Sequence, residues 1–108
     1  MPTSGSDGPF YWPIDILRDI GAAVTRTTLR GARFAPEEAL SVAQALRCAT
    51  ANAAFAGFEE RVKGSIEPGR LADLIVLAQD PLLVAPERIK DIDVDLALVD
   101  GRIAFART

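Results

Sequence analysis

KGSIEPGRLADLIVLAQDP, Lys63 to Pro81, is the stretch whose reading decides the fold. Pro68-Gly69 is a type II turn signal, because proline presets the first central dihedral and glycine takes the positive φ of the second. The residues that follow become continuously apolar from Leu74 to Ala78. Such a run predicts a strand covered on both faces. Asp80-Pro81 ends it. The segment therefore reads as a tight turn leading into a buried strand over Ala72–Ala78.

Downstream, Ala85–Ile92 (APERIKDI) predicts a helical turn. Ile92, Val94, Leu96 and Leu98 then alternate with Asp93, Asp95 and Ala97. Asp100-Gly101 is a two-residue type I′ turn signal, which predicts a hairpin with Arg102 opposite Val99 and Ile103 opposite Leu98. In that register Ile103 and Phe105 share the leucine face.

Upstream, Ser41 and Gln44 form a capping box at the start of a helix that runs to Ala56. Its stripe is Val42, Ala45, Leu46, Ala49, Ala53 and Ala56, mostly alanine, which permits close approach of a neighbour. Gly57 is the expected terminator. Ile14, Leu17, Ile20, Ala23 and Val24 predict an earlier helix that weakens at Gly21 and stops near Thr25–Thr28. Gly31 is the turn of the loop after it, and Pro36–Leu40 can form one short turn. Residues 1–13 read as loop, with Phe10, Tyr11 and Trp12 as packed anchors in preference to a binding face.

The chain has 108 residues, 49% of them hydrophobic and 25% charged, with a net charge of −3. That composition is globular and the length suits one domain. A complete (β/α)8 barrel is excluded, because eight units need about 200 residues or more. The expected fold is α+β: two main helices packed on a small sheet with a C-terminal β-hairpin. Three segments make one compact unit: a loop over 1–13, helices over 14–58 and a β-rich part over 59–108. The absence of a basic cluster argues against nucleic acid. No apolar run approaches the ~18 residues of a membrane span. Cys48 is the single cysteine and cannot form an internal disulfide, which fits a reducing, cytoplasmic setting. There is no histidine. Imidazole is the commonest ligand of zinc-type sites and a frequent general base, so this chain alone offers no metal cage.

Four stretches resemble the C-terminal end of the metal-dependent amidohydrolase superfamily, in its D-aminoacylase-like and formamide-deformylase-like branch. They are Gly5–Pro9 (GSDGP), Ala45–Ala56 (ALRCATANAAFA), Gly64–Leu77 (GSIEPGRLADLIVL) and Leu96–Phe105 (LALVDGRIAF), in family order. The resemblance implies a parent enzyme that is a (β/α)8 barrel with a β-sandwich built from both chain ends. This chain would hold the end of barrel strand eight plus half of that sandwich. It also implies hydrolysis of non-peptide C–N bonds in amide or N-acyl substrates, with a divalent, zinc-type metal as the parent's cofactor. Asp7 matches the catalytic, metal-binding aspartate of the family. Gly64, Pro68, Gly69, Ala72 and Asp73 match its turn-and-strand signature, and Thr50 and Asn52 match a helix motif that packs rather than reacts. Asp100 and Gly101 complete the structural set. The family's histidines and bridging group would lie upstream of Met1.

Each candidate also has a plainer reading. Asp7 sits in Ser-Asp-Gly-Pro, which is strong turn chemistry, and completes a metal site only if another chain supplies the other ligands. Cys48 beside Arg47 could be a reactive thiol, but reads better as a small helical hydrophobe. Asp91, Asp93 and Asp95 lack the glycine turn and distal glutamate of a calcium loop and read as the solvated face of a strand. Glu59, Glu60 and Arg61 read as surface charges. Two functional expectations follow. In one, the chain is the C-terminal portion of an amidohydrolase-like hydrolase, inactive alone, whose partner is the missing N-terminal barrel chain. In the other, it is a noncatalytic self-associating module, a homo-oligomer that covers its own strand edges.

Overall fold

The computed structural model describes residues 2–3 and 15–108. Among the described residues three α-helices come first: α1 (Ile16–Thr25), α2 (Val42–Ala49) and α3 (Ala51–Ala56). Three strands follow: β1 (Leu74–Leu77), β2 (Val94–Val99) and β3 (Arg102–Ala106). They form one antiparallel sheet in the order β1-β2-β3. A short 3-10 turn at Pro36–Glu38 precedes α2, and a longer 3-10 segment, Pro86–Asp91, separates β1 from β2. The protein is thus α+β. No helix among the described residues is long and apolar enough to cross a membrane.

Local chemistry explains where the helices start and stop. The Asp15 carboxylate accepts from the amides of Leu17 and Arg18 and caps α1. Arg26, in the left-handed region at φ 54°, closes it by donating its amide to the Ala22 carbonyl. The hairpin-like loop beyond turns at Gly31, as expected, with Thr27 bridged to Arg33. Ser41 and Gln44 form the reciprocal capping box expected of them, at 3.1 and 2.9 Å. Such caps contribute about 1 kcal/mol each.

The expected helix to Ala56 is broken in two at Thr50, so the described residues form three α-helices rather than two main ones. Thr50 sits at φ −121°, ψ −91°, and its hydroxyl donates to the Leu46 carbonyl at 2.8 Å. A threonine that bonds back by four residues bends a helix. At the far end, Gly57 is the C-cap but has an ordinary φ of −88°. The left-handed residue is Phe58 instead, at φ 60°. Its amide donates to the Phe55 carbonyl, and Glu59 donates to Ala54 at 2.8 Å. This is a Schellman closure with phenylalanine where glycine is usual.

The core lies among the helices, not on the sheet. Leu17, Ile20, Ala45, Ile89 and Ile92 form it, and Ile89 has no exposed surface. The helices expected to pack on the sheet pack on one another and on Pro86–Asp91. Of the strand residues, Leu77 and Val94, at one end of the sheet, reach this core. The covered strand expected at Leu74–Ala78 is correspondingly only half-covered: Ile75 and Val76 are 45% and 44% exposed. An apolar run records that a strand wants cover, but not whether the same chain supplies it.

The hairpin pairs Leu98 with Ile103 and Val99 with Arg102, as expected. Asp100 and Gly101 both have positive φ, 50° and 75°, the signature of a type I′ turn. A register shift after Leu98 then pairs Phe105 with Ala97, out of phase with Leu98 and Ile103. Phe105 therefore leaves the leucine face it was expected to share. Every residue of β3 is exposed. Its end is tied by Arg107, whose guanidinium contacts Asp93 and Asp95 at 2.5 Å each.

Two positive-φ glycines flank the turn before β1, and only one is crowded. A Cβ on Gly64 (φ 99°) would fall 2.6 Å from the Ala54 Cβ and 3.3 Å from the Thr50 carbonyl. A Cβ on Gly69 (φ 88°) would meet nothing within 4 Å. Gly64→Ala is expected to lower stability by about 2–4 kcal/mol, from overpacking plus backbone strain. Gly69→Ala, with strain alone, should cost about 1–2 kcal/mol. Urea unfolding midpoints of the two variants measure the difference, and equal shifts would contradict it.

Candidate functional site

Asp7, the expected metal-binding aspartate, lies outside the described residues, as do Phe10, Tyr11 and Trp12. Pro2 and Thr3, just before it, are described, and both are bonded to the helix pair. The Asn52 side-chain amide donates to the Pro2 carbonyl at 2.6 Å. The Thr3 hydroxyl donates to the Cys48 carbonyl at 3.2 Å. Asn52 is the one buried polar residue among the described residues, 6% exposed. Cys48 is a free, buried thiol, a small core hydrophobe as its helical position suggests.

The turn-and-strand residues come together around the start of β1. Gly64 seats its loop against the α2–α3 junction. Glu67 and Arg70 close the turn across Pro68-Gly69, amide to carbonyl at 3.2 Å. Beyond it, the Asp73 carboxylate accepts the Asp100 amide at 2.8 Å. The Ala72 carbonyl accepts the Gly101 amide at 3.1 Å. Ala72 and Asp73 thus brace the hairpin turn, 27 residues further along the chain. Arg70 adds a stitch that pattern reading missed: its guanidinium reaches the carbonyls of Glu60 and Lys63 and pairs with Glu67 at 3.2 Å. An arginine after a Pro-Gly turn carries no periodic signal, so only the fold reveals its partners.

Four of the other acidic candidates, Asp91, Asp93, Asp95 and Glu59, are spent on ion pairs. Asp91 pairs with Arg88 at 3.8 Å, Asp93 and Asp95 share Arg107, and Glu59 pairs with Lys63 at 2.6 Å. No group of three or more aspartate, glutamate or cysteine side chains among the described residues is arranged to hold a metal ion. The sequence holds no histidine to add to them. The donor set of the described residues therefore does not fit a divalent metal by itself.

A groove of about 450 Å³ runs between α1 and Pro86–Asp91. Arg18, Asp19, Thr25, Thr28, Glu87 and Lys90 are among its lining residues. Charges of both signs are therefore present along it. Burial, and then the neighbouring Asp15 carboxylate, raise the Asp19 pKa above the ordinary range of an aspartate. Hydrophobic patterning of α1 had no means of marking Asp19, since the groove wall opposite it comes from residues about 70 positions away.

The amidohydrolase family model matches residues 2–105. The chain belongs to the amidohydrolase family. It is 38% identical over 98 residues to an N-substituted formamide deformylase of Arthrobacter pascens, covering 91% of this chain and 18% of that protein. It is 29% identical over 107 residues to YtcJ of Bacillus subtilis (strain 168), a protein named as an amidohydrolase, covering 96% of this chain and 20% of that one. The chain thus spans about a fifth of the length of the curated relatives it matches. No solved structure matches it.

The Asp19 shift has a direction that stability measurements can read. A raised carboxyl pKa means that the folded state holds its proton more tightly than the unfolded chain. Stability from this group is therefore lost as pH rises from the ordinary value of about 4 through the folded pKa. Asp19→Asn is expected to raise the Tm at pH 7, with the gain vanishing below about pH 4. A gain that is the same at both pH values would show that burial of the charge is not its cause.

Proposed function

We propose that this chain is the C-terminal portion of an amidohydrolase that hydrolyses a C–N bond in an amide or N-acyl substrate, with N-substituted formamides as the first class to try. The observation that carries this reading is a family match over 2–105 in a chain that spans a fifth of its relatives and has no histidine. In this reading Asp7 contributes one carboxylate to a divalent-metal site, and the remaining ligands come from a (β/α)8 barrel outside these 108 residues. The sheet β1-β2-β3 is half of a composite sandwich. Gly64, Pro68, Gly69, Ala72, Asp73, Asp100 and Gly101 are structural: they fix the loop against α2–α3 and the turn against the strand. The isolated chain is inactive because a single carboxylate cannot hold a metal that activates water. The single buried thiol suits a cytoplasmic protein.

The experiment has two arms. The isolated chain, supplied with zinc, is assayed for bound metal and for hydrolysis of N-substituted formamides. Neither is expected, and turnover with one tightly held metal per chain would overturn the reading. In the second arm the chain replaces the matching segment of the Arthrobacter pascens deformylase. Activity is expected to survive the graft, and Asp7→Ala in the graft should lower kcat by about 10²–10⁴-fold. A graft indifferent to Asp7→Ala would remove Asp7 from the chemistry.

A second reading, a self-associating noncatalytic module, is favoured by the sheet itself. Among the described residues β1 and β3 are the edge strands of the sheet, and Ile75, Val76, Val99, Ile103 and Phe105 are 44–69% exposed. Uncovered apolar edges are templates for another strand. The isolated chain is expected to run as a dimer or larger by light scattering at high concentration, and Ile103→Lys to return it to monomer. A strict monomer before any substitution would sink this second reading.

A further inference from the structure

Asp100-Gly101, at the tip of the hairpin, pairs a carboxyl group with the least shielded of backbone amides, because glycine has no Cβ to screen its nitrogen. Both residues are exposed. In such a pair the Gly101 nitrogen can attack the Asp100 Cγ. An N–C bond forms, and a carboxyl oxygen leaves as water. The resulting five-membered succinimide then takes up water. Opening at one carbonyl restores aspartate, and opening at the other leaves the chain running through the side chain, as isoaspartate. One water leaves and one returns, so the change needs no further reactant.

The geometry opposes the first step. Ring closure needs the Gly101 nitrogen eclipsed with the Asp100 Cβ about the Cα–C bond, and a type I′ turn sets it well away. Two bonds from the start of β1 keep it there. The Gly101 amide donates to the Ala72 carbonyl at 3.1 Å, and the Asp100 amide donates to the Asp73 carboxylate at 2.8 Å. A rotation that carries the nitrogen toward Cγ must break the first of these. Packing adds little, since a Cβ on Gly101 would meet within 4 Å only the Ala72 Cβ, at 3.9 Å. We propose that Asp100-Gly101 is a latent isoaspartate site, and that the Ala72 carbonyl and the Asp73 carboxylate are the guard that holds it closed. Isoaspartate lengthens the backbone by one methylene. A two-residue turn cannot absorb that, so the pairs Val99–Arg102 and Leu98–Ile103 lose their register. No residue of β3 belongs to the core, so nothing there resists the release of the strand.

The test ages the full 108-residue chain in warm, mildly acid buffer and digests it with trypsin. Isoaspartate in the peptide Asp91–Arg102 is then located by electron-transfer fragmentation. Asp91, Asp93 and Asp95 lie in the same peptide but precede Ile92, Val94 and Leu96, whose side chains shield the attacking nitrogen, and they should stay unchanged. The free peptide Asp91–Arg102 is expected to isomerise at Asp100 fastest and the folded chain slowest. Asp73→Ala should speed the folded chain about tenfold, the factor that one net hydrogen bond of about 1.4 kcal/mol supplies. Asp73→Asn, which keeps an oxygen acceptor, should stay near the original rate. Ile20→Val weakens the core far from the turn and should leave the rate at Asp100 unchanged. A folded chain that isomerises as fast as the free peptide overturns the proposal. So does a rate indifferent to Asp73→Ala, or one raised equally by Ile20→Val. A measurement without variants decides the matter if Asp73→Ala does not fold. In low urea, isomerisation at Asp100 should rise in step with hydrogen exchange at the Gly101 amide, because both need the Ala72 bond to open. Exchange that quickens while isomerisation does not overturns the guard.

Discussion

Ile89 joins two parts of this chain that otherwise share little surface. It is carried by the 3-10 segment Pro86–Asp91 into the space between α1 and α2, and no part of it is exposed. Burying an isoleucine contributes about 1.5–3 kcal/mol. The position of that burial matters as much as its size. The segment enters from β1 and leaves, past the buried Ile92, into β2. Ile89 and Ile92 therefore fix the base of the sheet against the helices. The upper part of the sheet stands away from them, held by its own ladder and by the Asp73–Asp100 brace.

Some of this was legible before any coordinates. The capping box at Ser41–Gln44, the Pro68-Gly69 turn and the Asp100-Gly101 hairpin are local rules, satisfied within a few residues, and each appears where its residues stand. The break at Thr50 was not legible, because alanines surround a threonine that helices ordinarily tolerate. The register shift in β3 was not legible either, since strict alternation predicts no extra residue. Ile89 read as one apolar residue in a charged turn, and its central place depends on which surfaces α1 and α2 leave open. The exposure of Ile75 and Val76 marks a different limit: composition tells what a strand would bury, never who brings the cover.

The candidate site divides in the same way. Motifs pointed to Asp7, to the turn residues and to the Thr50–Asn52 helix, and the family match over 2–105 agrees with the resemblance they carried. What motifs could not convey is that Asn52 bonds to Pro2 and Asp73 to Asp100, since each bond joins positions 27 or more residues apart. The groove beside Asp19 has the same origin, in two elements brought together only by the core.

Arg107 has a consequence of its own. No residue of β3 belongs to the core, and its far end is held to the sheet by one cation placed between two carboxylates and by the backbone bond from Arg107 to Asp95. Exposed ion pairs weaken as counterions screen them, over about 10 Å at 0.1 M salt. The outer strand is therefore fastened by a force that dissolved salt can loosen, while the Ile89 core is indifferent to it. Raising ionic strength should fray this strand from its C-terminal end and leave the helices intact.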